Sequence, residues 1–322
     1  MSLKILQISD VHMSNKLPQA VHVEDGKTDR LLDQERLWDQ VARDAEDCDA
    51  VFVLGDLFDK ALVDPIVNES TARSLMKLPV PTYLLSGNHD AATLRGERYA
   101  LEAFGAFNTP HLHYLDNGMP LCLGDGVTFW PVHFVTRDVF RDELRAIRTA
   151  ISDAGNELGY NVLLCHQSIV GCSHLGWVCN DGVTADEVCK GFTRVYSGHF
   201  HEHQRFGPED IGMYLGSPMQ HSYGDVGREP GYWITEVEDD GNITDTLVPT
   251  GLPKFWTVDA LDADPPEDAK PGDFIRIQPR LPHADVVALK PASQERIAKL
   301  AKDGYRAEWK PRVISATHER LS

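Results

Sequence analysis

The sequence predicts an α/β fold followed by a small C-terminal α+β cap, and two observations carry that reading. Over the first two thirds of the 322 residues, short apolar runs alternate with stretches of helical spacing. Five polar clusters each follow directly on one of those apolar runs. Strands separated by helices form sheets with helices on their faces. Loops at the carboxyl ends of such strands gather along one sheet edge, where ligands bind.

The elements follow in chain order. Leu3–Ile8, Ala50–Leu54, Thr82–Leu85, Asn161–Cys165 and Thr193–Tyr196 have the length and apolar density of buried strands. Leu31–Ala45 and Arg141–Ala150 carry helical spacing, with Leu31, Leu32 and Trp38 facing the core in the first. Near Thr250 the pattern changes. Gly251-Leu252-Pro253 is a breaker, and Asp262–Asp268 is an acidic loop containing two prolines. Beyond it the spacing predicts a strand at Phe274–Gln278, a helix at Ser293–Lys302 with Ile297 and Leu300 inward, and a last strand at Ala307–Ile314. The expected domains are therefore 1–250 and 251–322, the second hardly large enough for an independent core.

Composition narrows the class. Apolar residues make up 42% and charged residues 25%, as in an ordinary globular protein. Apolar runs are strand-sized, so no membrane span is expected. The start MSLKILQISD enters a strand at once, which leaves no room for a signal peptide and points to the cytoplasm (the host's, for a viral source). Six scattered cysteines do not make a disulfide framework. Cys172, His174, Cys179 and Cys189 lie close together without a C-x-x-C pair, so they read as reduced, partly buried thiols rather than a zinc site. A net charge of −18 argues against a general nucleic-acid binder. The imbalance is uneven, because Asp285–Ser322 holds eight Lys/Arg against five Asp/Glu.

The five clusters are Asp10-Val11-His12, Gly55-Asp56-Leu57-Phe58-Asp59, Gly87-Asn88-His89-Asp90, His166-Gln167 and Gly198-His199-Phe200-His201. Glycines before Asp56, Asn88 and His199 let the backbone turn sharply as it leaves each strand. Oxygen donors mixed with imidazole nitrogens suit two divalent cations, with Mn, Fe or Zn favoured over Mg alone. Two cations about 4 Å apart can activate a water and neutralise a phosphoryl group, and a carboxylate between them holds them together. Asp56 is the candidate bridge. Taken singly, each cluster has an ordinary reading: Gly-Asp is a common turn, Asn-His can cap a helix, and a buried histidine is commonly a hydrogen-bonded core residue. Five in this order, each at a strand end, form the signal.

The ordered set D-x-H, GD-x-x-D, GNHD, H and GH-x-H resembles the calcineurin-like metallophosphoesterases, over roughly Met1 to Asp240. That resemblance implies a four-layer α/β/β/α sandwich with two metals at the sheet edge. One metal would take Asp10, His12, Asp56 and His201; the other, Asp56, Asn88, His166 and His199. His89 would be the general acid for the leaving oxygen, and Asp59 and Asp90 would orient the ligands and His89. His166-Gln167, Gly198–Gln204 and Tyr214–Gln220 are further similar to the SbcD-type DNA repair nucleases, and Tyr196–Trp233 is nearest their bacteriophage forms. That similarity implies a Mn²⁺-dependent exo- and endonuclease acting on DNA beside an ABC-type ATPase with a coiled-coil arm, with a homodimer allowed. The family usually continues into a helical segment that docks the ATPase, whereas this sequence stops at Ser322.

Two rival readings stand beside this one. A phosphoesterase for nucleotides or phosphoproteins would use the same centre. An inert scaffold on the same fold would be expected to have lost ligands, and none is missing here. His203 reads as structural or DNA-facing rather than as a ligand, His111, His113, His133 and His221 receive no role, and Trp130 and Trp177 read as packing rather than base-stacking residues.

Overall fold

The computed structural model describes residues 2–314 apart from 94, 107–108, 125, 156–158, 175 and 239–240. The apolar runs form strands where they were expected. Leu3–Ile8, Ala50–Leu54, Thr82–Leu85 and Leu112–Tyr114 pair in parallel in that order. Gly231–Val237 and Ile243–Pro249 extend the sheet antiparallel from Leu3–Ile8. A second six-stranded sheet has Val127–Val132, Tyr160–His166, Arg194–Gly198 and Gly212–Tyr214 in parallel, with antiparallel edges Leu121–Cys122 and Gln204–Phe206.

Alternation decides what lies between the sheets. Ile5, Phe52, Leu54 and Leu85 of the first sheet pack with Phe129, Val162, Leu164, Tyr196 and Met213 of the second in one apolar cluster. The opposite face of the second sheet, with Trp130, Leu163 and Val195, packs against Phe140, Leu144 and Ile147 of helix Arg137–Ala154. On the first sheet, Leu6, Ile8, Val51 and Val53 point away from the inter-sheet cluster and are fully buried, as are Leu31, Leu37, Trp38 and Val41 of helix Asp29–Asp44. Thr28 caps that helix by accepting from the Leu31 N–H. The layers therefore run helix, sheet, sheet, helix.

The chain divides into two compact units, Met1–Pro218 with Pro230–Thr250, and Met219–Glu229 with Gly251–Ser322. Met219–Glu229, expected in the first domain, belongs to the second for a visible reason. Gln220 Oε1 accepts from the Phe255 N–H at 2.6 Å, Glu229 pairs with Lys254 at 2.6 Å, and the Arg276 guanidinium lies 3.6 Å from the Tyr223 ring centroid. The second unit carries a parallel sheet of Phe255–Val258, Phe274–Ile277 and Arg306–Trp309, with helix Lys290–Lys302 burying Leu300. The strand expected at Ala307–Ile314 is two strands. Pro311 lacks an N–H, and beyond it Arg312–Ile314 pairs with Arg280–Pro282 in a separate sheet.

Candidate metal centre

All five polar clusters emerge at the carboxyl ends of parallel strands, three from the first sheet and two from the second. The loops after Ile8 and Leu54 are zipped together: Asp10 N–H donates to Gly55 O, His12 N–H to Asp56 O and Met13 N–H to Leu57 O, at 2.7–3.0 Å. Four of the candidate ligands adopt positive φ: Asp10 at 54°, His12 at 50°, Asp56 at 51° and His199 at 100°. Non-glycine residues rarely do so, and such conformations persist where the surroundings over-determine them, commonly at functional sites.

Glycine serves this edge in two ways. Gly55, at φ +88°, supplies the expected turn, and a Cβ there would also collide with the His166 ring. Gly87 turns without a positive φ; its missing side chain leaves room for the Asp56 carboxylate.

Three groups of side chains place their ligand atoms within 4.8 Å of one another: Asp10, His12 and His201; Asp56, His166 and His199; and His12, Asp56 and His89. His12 Nε2 and His201 Nε2 are 3.1 Å apart. His166 Nδ1 donates to Leu54 O at 2.9 Å, which leaves Nε2 facing the site. That atom is buried and makes no hydrogen bond among the described residues, although Asp56 Oδ2 lies 3.2 Å away and Asp10 Oδ1 3.9 Å. A buried ring nitrogen facing two carboxylates is an arrangement that a cation satisfies. Asn88 Oδ1 and His199 Nδ1 converge at 2.8 Å, and Ser168 Oγ meets His199 Nε2 at 2.9 Å. The donor set thus fits two divalent ions.

Electrostatics separates the buried acids. Burial, opposed by His166 and His201, raises the Asp10 carboxyl above its usual range. Burial acts on Asp56 too, but His166 and His12 beside it hold it far below the usual carboxylate range. The Asp10 carboxylate also accepts from Ser9 Oγ at 2.7 Å and from the His199 N–H at 3.1 Å, a link between the two sheets.

His89 is exposed, with its N–H donating to Asp56 Oδ1 and its ring edge-on to His12 at 4.6 Å. Its Nδ1 donates to the main-chain carbonyl of Asp59 at 2.8 Å. That bond uses the Asp59 backbone, so its carboxylate is not what orients His89. Asp90 accepts from the Gly87 and Phe58 N–H groups at 2.9 Å and ties two ligand loops together. Burial and then the Asp56 charge push its carboxyl up to about 7.

The family model of calcineurin-like phosphoesterases matches residues 3–203. The chain is a calcineurin-like phosphoesterase. Among curated proteins, it is 23% identical over 275 residues to the D subunit of the SbcCD nuclease from Staphylococcus epidermidis, covering 77% of this chain and 69% of that protein. Among solved structures, a dimetal phosphatase from Danio rerio matches 77% of this phosphoesterase and 98% of its own chain, at 8% identity and TM-score 0.50. Purple acid phosphatase from yellow lupin matches the same share and 52% of its own chain, at 14% identity and TM-score 0.50. These structural likenesses show the fold, and the fold of this family binds two divalent metals. No described helix of the phosphoesterase is long and apolar enough to cross a membrane.

Several residues around the centre have no motif to betray them. Ser168 is an ordinary serine in sequence, and only packing brings it onto His199, while Ser9 bonds its own neighbour Asp10. His133, to which the sequence assigns no role, is buried and accepts from the Ser86 N–H at 2.8 Å through Nδ1, while Nε2–H donates to Leu115 O at 2.6 Å. His203 Nδ1 bonds the Leu215 carbonyl, and its ring meets Trp233 edge-on. Cys172 and Cys189 pack in the apolar cluster on the outer face of the second sheet, and burial pushes both thiols up to about 11.

Proposed function

We propose that this phosphoesterase is a Mn²⁺-dependent DNA nuclease, cleaving phosphodiester bonds as an exo- and endonuclease, and that it acts beside an ABC-type ATPase with a coiled-coil arm. The observation that carries this is the 275-residue similarity to a nuclease subunit, because a match of that length must run beyond the family model's residues 3–203. Asp10, His12, Asp56 and His201 would hold one cation, and Asp56, Asn88, His166 and His199 the other. Bound there, the pair supplies Lewis acidity toward a phosphoryl group and lowers the pKa of water.

The protein's own groups do the rest. Asp56 faces both ligand sets, and its position is locked by the His89 N–H at 2.8 Å. The Asp59 carbonyl fixes the proton of His89 on Nδ1, which leaves Nε2 to carry a second proton to the departing oxygen. The exposure of His89 leaves its ring open to an arriving substrate.

Chelation followed by stepwise return of Mn²⁺, Fe²⁺, Zn²⁺ and Mg²⁺ tests the reading on linear DNA, on a nucleoside monophosphate and on a phosphopeptide. DNA cleavage restored best by Mn²⁺ is expected. Full activity in excess EDTA overturns the two-metal chemistry. Hydrolysis of the monoesters alone assigns the centre to small substrates or phosphoproteins instead.

A further inference from the structure

The two tryptophans read as packing residues fare differently. Trp130 is buried, with Nε1–H donating to Asn161 Oδ1 at 2.9 Å. Trp177 is 79% exposed and its neighbour Val178 is 68% exposed, on the short hairpin that pairs Ser173–His174 with Trp177–Val178. Packing within the fold does not explain two large apolar side chains held together in water.

Beside them lies an open groove of about 430 Å³, lined among others by Ser168, His174, Trp177, Asn180 and Phe200. One wall is shared with the metal centre. Ser168 Oγ bonds His199, and Phe200 stacks on the His199 ring at 5.0 Å and on the His174 ring at 5.1 Å. The His174 ring in turn lies 5.8 Å from that of His201. The groove thus begins one side chain away from two candidate ligands. Among the described residues no lysine or arginine lines it, and its one acidic residue, Asp181, is already paired with Arg137 at 2.7 Å. Aromatic faces without a cation suit a flat uncharged ring rather than a phosphate.

We propose that Trp177 is a stacking platform for an unpaired nucleobase flanking the scissile phosphate, with His174 and Phe200 walling the groove. This rests on the nuclease reading above and refines its substrate. A base inside a duplex is already stacked on both faces, so capture requires a strand that is single or frayed at the cut. The exposure of Trp177 means that its replacement leaves the core untouched.

The test begins with chelated full-length protein and a single-stranded oligodeoxynucleotide carrying 2-aminopurine at successive positions. Fluorescence at one position should be quenched by wild type and by Trp177→Phe, and not by Trp177→Ala. With Mn²⁺ restored, Trp177→Ala should raise KM for the oligonucleotide roughly 5- to 150-fold. An abasic site at the quenched position should bring the wild type to the variant's KM. Unaltered quenching and KM in Trp177→Ala overturns the platform while the nuclease reading stands. A raised KM that an abasic site does not reproduce in wild type also overturns it, since the hairpin then only supports the centre. A wild type that neither binds nor cuts the oligonucleotide overturns the nuclease reading itself, and the platform with it.

Discussion

The first sheet delivers Asp10, His12, Asp56 and Asn88 to the candidate centre, three oxygen donors and one nitrogen, whereas the second delivers His166, His199 and His201, all nitrogen. Three of the four first-sheet residues sit at positive φ, against only His199 on the other side. Buried carboxylates gathered on one edge would repel each other, and the imidazoles across the gap offset that charge, as the depressed Asp56 carboxyl shows. Neither edge is a site alone. Each ligand set is complete only when the two sheets close on each other, so the inter-sheet core is a condition for the chemistry as well as for stability.

Unequal roles for the two edges can be tested from the largest effect downward. Asp56→Ala removes the one carboxylate that faces both ligand sets, so it should strip both ions and lower turnover by roughly 10³-fold or more. His201→Ala, from the second sheet, should cost one ion only. His89→Ala should keep both ions and lower turnover by roughly 10²–10⁴-fold. Elemental analysis alongside rates separates the three. If His89→Ala empties the centre, His89 is a ligand and not the acid.

A smaller effect should come from the fastener between the sheets. His133 follows a second-sheet strand, yet its two ring nitrogens bond Ser86 and Leu115, which follow first-sheet strands. Burial lowers its pKa to about 4, and protonation would destroy the Nδ1 acceptor. With the folded value below the unfolded 6.5, the unfolded chain takes the proton first as pH falls. Stability is therefore whole above about pH 6.5 and lost progressively toward pH 4, by up to about 3 kcal/mol. Denaturant unfolding of chelated protein at pH 7 and pH 5 should show this loss in wild type and much less of it in His133→Gln. Equal slopes in the two proteins would remove His133 from the account.

The smallest effect is expected in the second unit. Arg306 is half-buried over the Phe274 ring, and Arg296 bonds the Ala263 carbonyl at 2.6 Å, so both are partly structural. Lys299 and Lys302 remain exposed, beside Asp262, Asp264 and Glu295. Lys299→Glu with Lys302→Glu should lower the salt slope of DNA binding by about one for each phosphate no longer neutralised, and leave both sheet edges and their metal content unchanged. An unaltered slope would place the DNA path elsewhere.

Much of this architecture is legible in the sequence. Strands Leu3–Ile8, Ala50–Leu54 and Thr82–Leu85 coincide with their apolar runs, because a buried parallel strand must be apolar on both faces and so announces itself. The antiparallel strands Gly231–Val237 and Ile243–Pro249 are not legible, since they are partly exposed and their residues mixed. The five motifs are legible because each chemical group must sit where its strand ends, a rule of local sequence. Tertiary structure alone decided that Met219–Glu229 joins the second unit, that Trp177 stands in water while Trp130 does not, that Asp59 acts through its backbone, and that His133 joins two sheets. Each of those depends on which distant atoms share a place, and a local pattern of residue types carries no record of that.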